Sequence, residues 1–165
     1  MKEKIKHYLK EVVLFFVILT VLANGISFYK SMELNKQPLS IKEITLLDNK
    51  RYTFANNKPI LIHFWASWCP TCKMEASNIN SIAKSYEVVT IAVKSGNDEE
   101  IKKFLADNHL DVKVLNDDSG FYANKFNIAA FPTTLIYDKN KDLLFSEVGY
   151  TSTWGLYLRM WWASL

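Results

Sequence analysis

The chain has 165 residues, 49% of them hydrophobic and 22% charged, which fits one folded domain with a short appendage and excludes a disordered polyelectrolyte. Its net charge of +3 comes largely from Lys2, Lys4, Lys6 and Lys10, so the rest is near neutral and no nucleic-acid partner is expected. Cysteine occurs only at Cys69 and Cys72. A bridge between them would close a loop of a few residues and constrain the unfolded chain little, which excludes a disulfide-stapled scaffold.

In chain order, the first feature is an uncharged run from Val12 to Phe28, apolar throughout "VVLFFVILTVLA". About 17–25 such residues cross a bilayer as a helix. Lysines precede the run and Lys30 follows it, so the positive-inside bias places Met1 in the cytoplasm. The expected organisation is a cytoplasmic terminus (1–11), a transmembrane signal-anchor (12–29), a linker (30–39) and one domain (40–165). A cleaved signal peptide is the alternative, since Val21–Ala23 and Ala23–Gly25 carry small residues at suitable spacing. Both readings put the domain outside the cytoplasmic membrane, on the periplasmic or outer side of a bacterial cell.

"SIKEITLL" and "RYTF", joined by a turn at Asp48-Asn49-Lys50, predict a hairpin. "PILIHFW" (59–65) reads as a strand buried on both faces. A helix is expected over 70–86, with Pro70 in its first turn and Met74, Ile79, Ile82 and Ala83 inward. Strand 88–93, helix 99–108, strand 112–117 and a short helix 121–126 follow. Strands 133–138 and 142–149 form a second hairpin, and a helix runs from Thr153 to Leu165. In that helix Trp154, Leu158, Trp161, Trp162 and Leu165 share one face, which is expected to close over the sheet; a contact with the bilayer or a partner is the alternative. The pattern implies an α/β fold with a mixed sheet covered on both faces.

The cysteine pair lies where a buried strand gives way to a helix. Free N–H groups and the positive end of the helix dipole stabilise an anionic sulfur there, making Cys69 the more nucleophilic thiol and Cys72 its partner one turn on. Such a pair can reduce a disulfide through a mixed-disulfide intermediate. A zinc site would need further ligands, and only His7, His63 and His109 are at hand, with His7 before the apolar run. No metal or other cofactor is expected; Cu(I) held by the two thiolates is the alternative. A redox-inert adaptor binding through its aromatic tail is a third reading.

"FWASWCPTCKME", with "FPTTLIYD" downstream, resembles the thioredoxin superfamily. Within it the chain looks like the membrane-anchored TlpA and ResA branch. "HFWASWCP" and the terminal "GYTSTWGLYLRMWWA" are most similar to the suppressor-of-copper-sensitivity D type. The resemblance implies a thioredoxin-like fold from about Ser40 onward, with an N-terminal hairpin and a βα insertion around Val88 to Asn116. It implies that Cys69 attacks, that Cys72 resolves, and that Pro132 is a cis-proline. Trp68, Phe131 and Pro132 would meet the substrate, with Phe131 offering its backbone to an extended peptide. It further implies oxidised client proteins and a transmembrane electron donor of the DsbD or CcdA kind. Cytochrome c maturation fits less well, because the approach to Pro132 is Ala129-Ala130-Phe131 and Glu75 is followed by Ala76 rather than proline.

His63 stands six residues before Cys69, where thioredoxins commonly keep a buried carboxylate. Two readings follow. A neutral imidazole could relay the Cys72 proton, or the ring could be a core histidine with a local hydrogen bond and no part in turnover.

Overall fold

A computed structural model describes residues 2–31, 34, 37–47 and 49–165; within the first helix it describes the side chains of 7–22, 25, 27 and 29. That helix, α1 (Lys2–Ser31), precedes the hairpin strands β1 (Glu43–Thr45) and β2 (Arg51–Thr53). Then come β3 (Ile60–Trp65), α2 (Pro70–Ala83), β4 (Glu87–Val93), α3 (Asp98–Asp107) and β5 (Lys113–Asp117). The chain ends with α4 (Phe121–Lys125), β6 (Thr133–Tyr137), β7 (Leu143–Val148) and α5 (Thr153–Ala163).

Five strands form the main sheet in the order β5-β4-β3-β6-β7. β3, β4 and β5 run parallel, whereas β6 and β7 are antiparallel to their neighbours. Every residue of β3 is buried, as its unbroken apolar sequence requires of a central strand covered on both faces. On one face Ile62, Phe64, Ile91, Leu135 and Tyr137 pack against Ile44 and Phe54 of the hairpin segment and Ala123 and Phe126 of the α4 segment. On the other face Leu61, Val88 and Ile136 meet Ile79 and Ile82 of α2 and Leu156, Met160 and Ala163 of α5. A third cluster joins Trp65, both cysteines, Ala92 and Val114 to Ile101 of α3. The expected thioredoxin-like α/β arrangement is present, with the hairpin set apart as its own two-stranded sheet. Within the expected turn, Asp48 lies outside the described residues; Asn49 takes a left-handed conformation at φ 56°.

Helix α5 departs from expectation. Trp154, Leu158, Trp161, Trp162 and Leu165 are 55% to 80% exposed, and the helix turns Leu156, Met160 and Ala163 to the sheet instead. Those three sit at i, i+4 and i+7, as helical a stripe as the aromatic one. The narrower stripe, ending in alanine, lets α5 approach α2 and β6, which a row of indoles would hold off. Met74 is likewise exposed, while Glu75 takes its place inward on α2.

Among the described residues no helix is long and apolar enough to cross a membrane. The described side chains of α1 from His7 to Leu22 are all exposed. Near its end, Ser27 Oγ accepts a hydrogen bond from the Val148 N–H at 3.0 Å, on the edge strand β7. Of the expected linker, residues 32–33 and 35–36 lie outside the described residues, but Leu34 and Leu39 are buried in the core of the domain.

Candidate active site

β3 and β4 end side by side, and the loops leaving them build the site. Ala66 to Trp68 carry the chain from β3 to α2, pinned by the Ser67 N–H donating to Ser95 Oγ at 3.0 Å and by Trp68 Nε1 donating to the Lys94 carbonyl at 3.0 Å. Cys69 is the N-cap of α2, in an extended conformation, and its sulfur accepts from the Cys72 N–H at 3.2 Å. Pro70 occupies the first helical position, where a missing N–H leaves no bond unmade. Cys72 therefore lies within the first turn, and a disulfide joins the two residues across a Cα–Cα distance of 5.3 Å. No acidic residue stands in that turn to oppose a thiolate.

The Phe131–Pro132 bond is cis. Phe131 packs against the cluster holding both cysteines, and the exposed Trp68 meets its ring edge-on at 5.8 Å between centroids. Among the described residues, neither backbone group of Phe131 has a hydrogen-bond partner. The Pro132 carbonyl accepts from the Gly149 N–H at 2.8 Å. The structure thus brings Cys69, Cys72, Trp68 and Phe131 together at one end of the sheet, with Pro132 next to Phe131.

His63 is buried in the middle of β3, and its Nδ1 lies 3.0 Å from Thr134 Oγ1. It shares with Cys72, Thr90 and Ile79 the lining of a cavity of about 20 Å³, room for about one water molecule. Burial without a charged partner lowers its pKa from 6.5 to about 3, so the ring is neutral. Glu75, one turn beyond Cys72, is fully buried. Its Oε1 accepts from the Thr151 N–H at 3.1 Å, and its Oε2 has no partner among the described residues. Burial raises its pKa to about 8; the Thr151 N–H works against that rise, and the charge of Glu147 adds to it. Among the described residues no group of three or more His, Cys, Asp or Glu is placed to hold a metal ion.

The Redoxin family profile matches residues 35–154. A thioredoxin-like protein of Haemophilus influenzae is 35% identical over 167 residues, covering 97% of each chain. The chain belongs to the Redoxin family. The thiol:disulfide interchange protein DsbE of the same organism is 37% identical over 110 residues, covering 62% of this chain and 59% of that protein. A crystal structure of a thiol:disulfide interchange protein of the thioredoxin family from Chlorobium tepidum superposes with a TM-score of 0.66 at 19% identity, over 79% of this chain and 99% of that one.

As a Redoxin of the TlpA and DsbE kind, the protein is a thioredoxin-like thiol:disulfide oxidoreductase, and Cys69–Cys72 is its Cys-x-x-Cys pair. A disulfide at a helix N-cap can open to a dithiol whose outer sulfur is stabilised as thiolate, so the pair can carry two electrons in either direction. Glu75 is the buried group of this site that the sequence reading passed over. Its signal was present. It stands three residues after Cys72, on the same side of a helix whose inward positions are otherwise apolar, and an unpaired acid there is costly enough to need a reason.

Proposed function

We propose that this oxidoreductase is a reductant of exported proteins, held to the cytoplasmic membrane by α1 and working on its periplasmic or outer side. The uncharged run from Val12 to Phe28, the lysines before it and the exposure of its described side chains support the anchor. In this reading residues 40–165 form the catalytic domain. The observation that carries the chemistry is the disulfide at the N-cap of α2, flanked by Trp68 and the Phe131–Pro132 peptide.

The Cys69 thiolate attacks one sulfur of a client disulfide. A new S–S bond forms to the client, and the client's other sulfur leaves as thiolate. Cys72, as thiolate, then attacks Cys69 sulfur; the client's second sulfur leaves, and the Cys69–Cys72 disulfide closes. The client has gained two electrons and the protein has lost two. An extended client segment pairs with the free backbone groups of Phe131 beside cis-Pro132 and rests against Trp68. A membrane donor of the DsbD or CcdA kind returns two electrons and two protons. Clients damaged under copper or oxidative stress fit the likeness to the suppressor-of-copper-sensitivity D type. Of the two readings of His63, the Thr134 partner and the lowered pKa favour the neutral core ring.

Equilibration with glutathione and the redox state of the pair in cells test the direction. The expected potential lies nearer the thioredoxin end, about −270 mV, than the oxidant end, about −120 mV, with the pair largely reduced in vivo. Cys72→Ala should accumulate mixed disulfides with envelope proteins, and Cys69→Ala should not. A pair found oxidised in cells would overturn the reductant reading. Tight Cu(I) binding without disulfide turnover would favour the copper-holding alternative.

A further inference from the structure

Helix α5 leaves an aromatic face uncovered beside the end of α1. Ser27 of α1 accepts from the Val148 N–H at 3.0 Å, and its hydroxyl lies 3.3 Å from Glu147 Oε2. The other oxygen of Glu147 holds Arg159 Nη2 of α5 at 2.8 Å. One β7 carboxylate therefore ties the end of α1 to the flank of α5. Trp162 stands three residues after Arg159, so the exposed stripe Trp154, Leu158, Trp161, Trp162 and Leu165 begins next to that flank.

The helical rise fixes the depth. The seventeen residues of the uncharged run rise about 25 Å at about 1.5 Å per residue, so a hydrocarbon core about 30 Å thick takes up all of them. A headgroup layer is about 5–7 Å thick, half the difference between the full bilayer and its hydrocarbon core. The uncharged run continues to Phe28. If α1 spans the bilayer, Ser27 lies where the hydrocarbon core meets the headgroups, and Glu147, Val148 and Arg159 lie at that boundary with it. Three of the chain's five tryptophans are on the adjoining face, and indole rings favour this boundary, where one edge is apolar and the other wet.

We infer that the Trp154, Leu158, Trp161, Trp162 and Leu165 face of α5 rests in the lipid headgroup region beside the exit of α1, giving the domain a second membrane contact. The inference rests on the anchor reading of α1. Two contacts fix the orientation of the domain, whereas a single helix end would leave it free to pivot. Trp68 is exposed beside the active-site loop and is not part of this face, so it serves as the reference for exposure to water.

The test uses the full chain, labelled with 5-fluorotryptophan, in vesicles of phosphatidylcholine and phosphatidylglycerol. Five fluorine resonances are assigned by single Trp→Phe variants. A nitroxide on the lipid headgroup should broaden Trp154, Trp161 and Trp162 at least about twofold more than Trp68, and an aqueous gadolinium chelate should show the opposite order. If the chain floats with carbonate-washed vesicles but the chelate broadens the α5 resonances as it does Trp68, the second contact is wrong and the anchor stands. If those resonances are shielded from both probes, another protein surface such as a second copy covers the face, and the inference also falls. If the chain does not float, the anchor reading fails and takes the inference with it.

Discussion

His63 illustrates how one side chain can be placed correctly by a sequence and still be chemically open. Its place near Cys72 was implied by the resemblance to thioredoxins, and strand alternation, which puts Leu61, His63 and Trp65 on one face of β3, added only that it is buried. What alternation could not supply was its partner, Thr134, some seventy residues away across the β3–β6 ladder. Burial, with no charged partner beside it, keeps the ring neutral and lowers its pKa to about 3. A base that weak is poorly matched to a thiol near 8.5. His63→Asn should therefore leave the release of a mixed disulfide within about twofold of wild type across about pH 6 to 9. A fall of about tenfold with an altered pH profile would assign the ring to turnover. The cysteines were legible because their spacing and flanks are short-range signals, whereas the cis bond at Pro132 was implied only by the family resemblance. Glu75 was less legible, since a helix shows which side an acid is on but not whether that side is roofed.

At the scale of elements, α2 and α5 decide what the site can hold. α5 was misjudged because it is apolar on nearly all sides, and periodicity then offers two equally helical faces. The choice between them is steric and belongs to the partner surface, which no single segment contains. The loop between β7 and α5 closes over α2: Gly149, at φ 103°, turns the chain so that Thr151 can donate to Glu75. This roof gives stability a pH dependence. The folded-state pKa of Glu75 is raised from 4.5 to about 8. Its contribution is complete below pH 4.5 and is lost as pH rises through 8, because the unfolded chain ionises first. His63 acts with the opposite sign. Its pKa is lowered from 6.5 to about 3, so its contribution is present above 6.5 and lost as pH falls. The two slopes oppose each other between about pH 4.5 and 6.5, so the protein should show a plateau there and lose stability on either side. Glu75→Gln keeps the shape and the acceptor for Thr151 but cannot ionise. Urea unfolding should show the alkaline loss, a few kcal/mol between about pH 6.5 and 8, nearly abolished in the variant. Parallel curves for the two proteins would mean that Glu75 ionises in place without cost.

Across the whole molecule, Glu147 is where three parts of the chain meet. It lies against Ser27 of α1, it pairs with Arg159 of α5, and its charge helps to hold the Glu75 carboxyl neutral on the helix that carries the cysteines. The Glu147–Arg159 pair is largely withdrawn from water, with side chains 18% and 24% exposed. Removing one partner leaves the other poorly solvated, and Glu147→Gln should cost about 1–3 kcal/mol in mildly acid solution at about pH 6. The same change removes a negative charge near Glu75 and frees the cation of Arg159. Both effects favour ionised Glu75, so its folded-state pKa should fall. The alkaline loss of stability should then end at lower pH and be smaller. A Glu75→Gln, Glu147→Gln cycle separates the two consequences. The acid-pH cost of Glu147→Gln should persist in the double variant, because it belongs to α5 and β7. The change in pH dependence should vanish, because it acts through Glu75. If Glu147→Gln shifts the alkaline limb by the same amount whether or not Glu75 is present, the charge reaches the cysteine helix by another route, and the β7 edge does not set the ionisation of the buried acid.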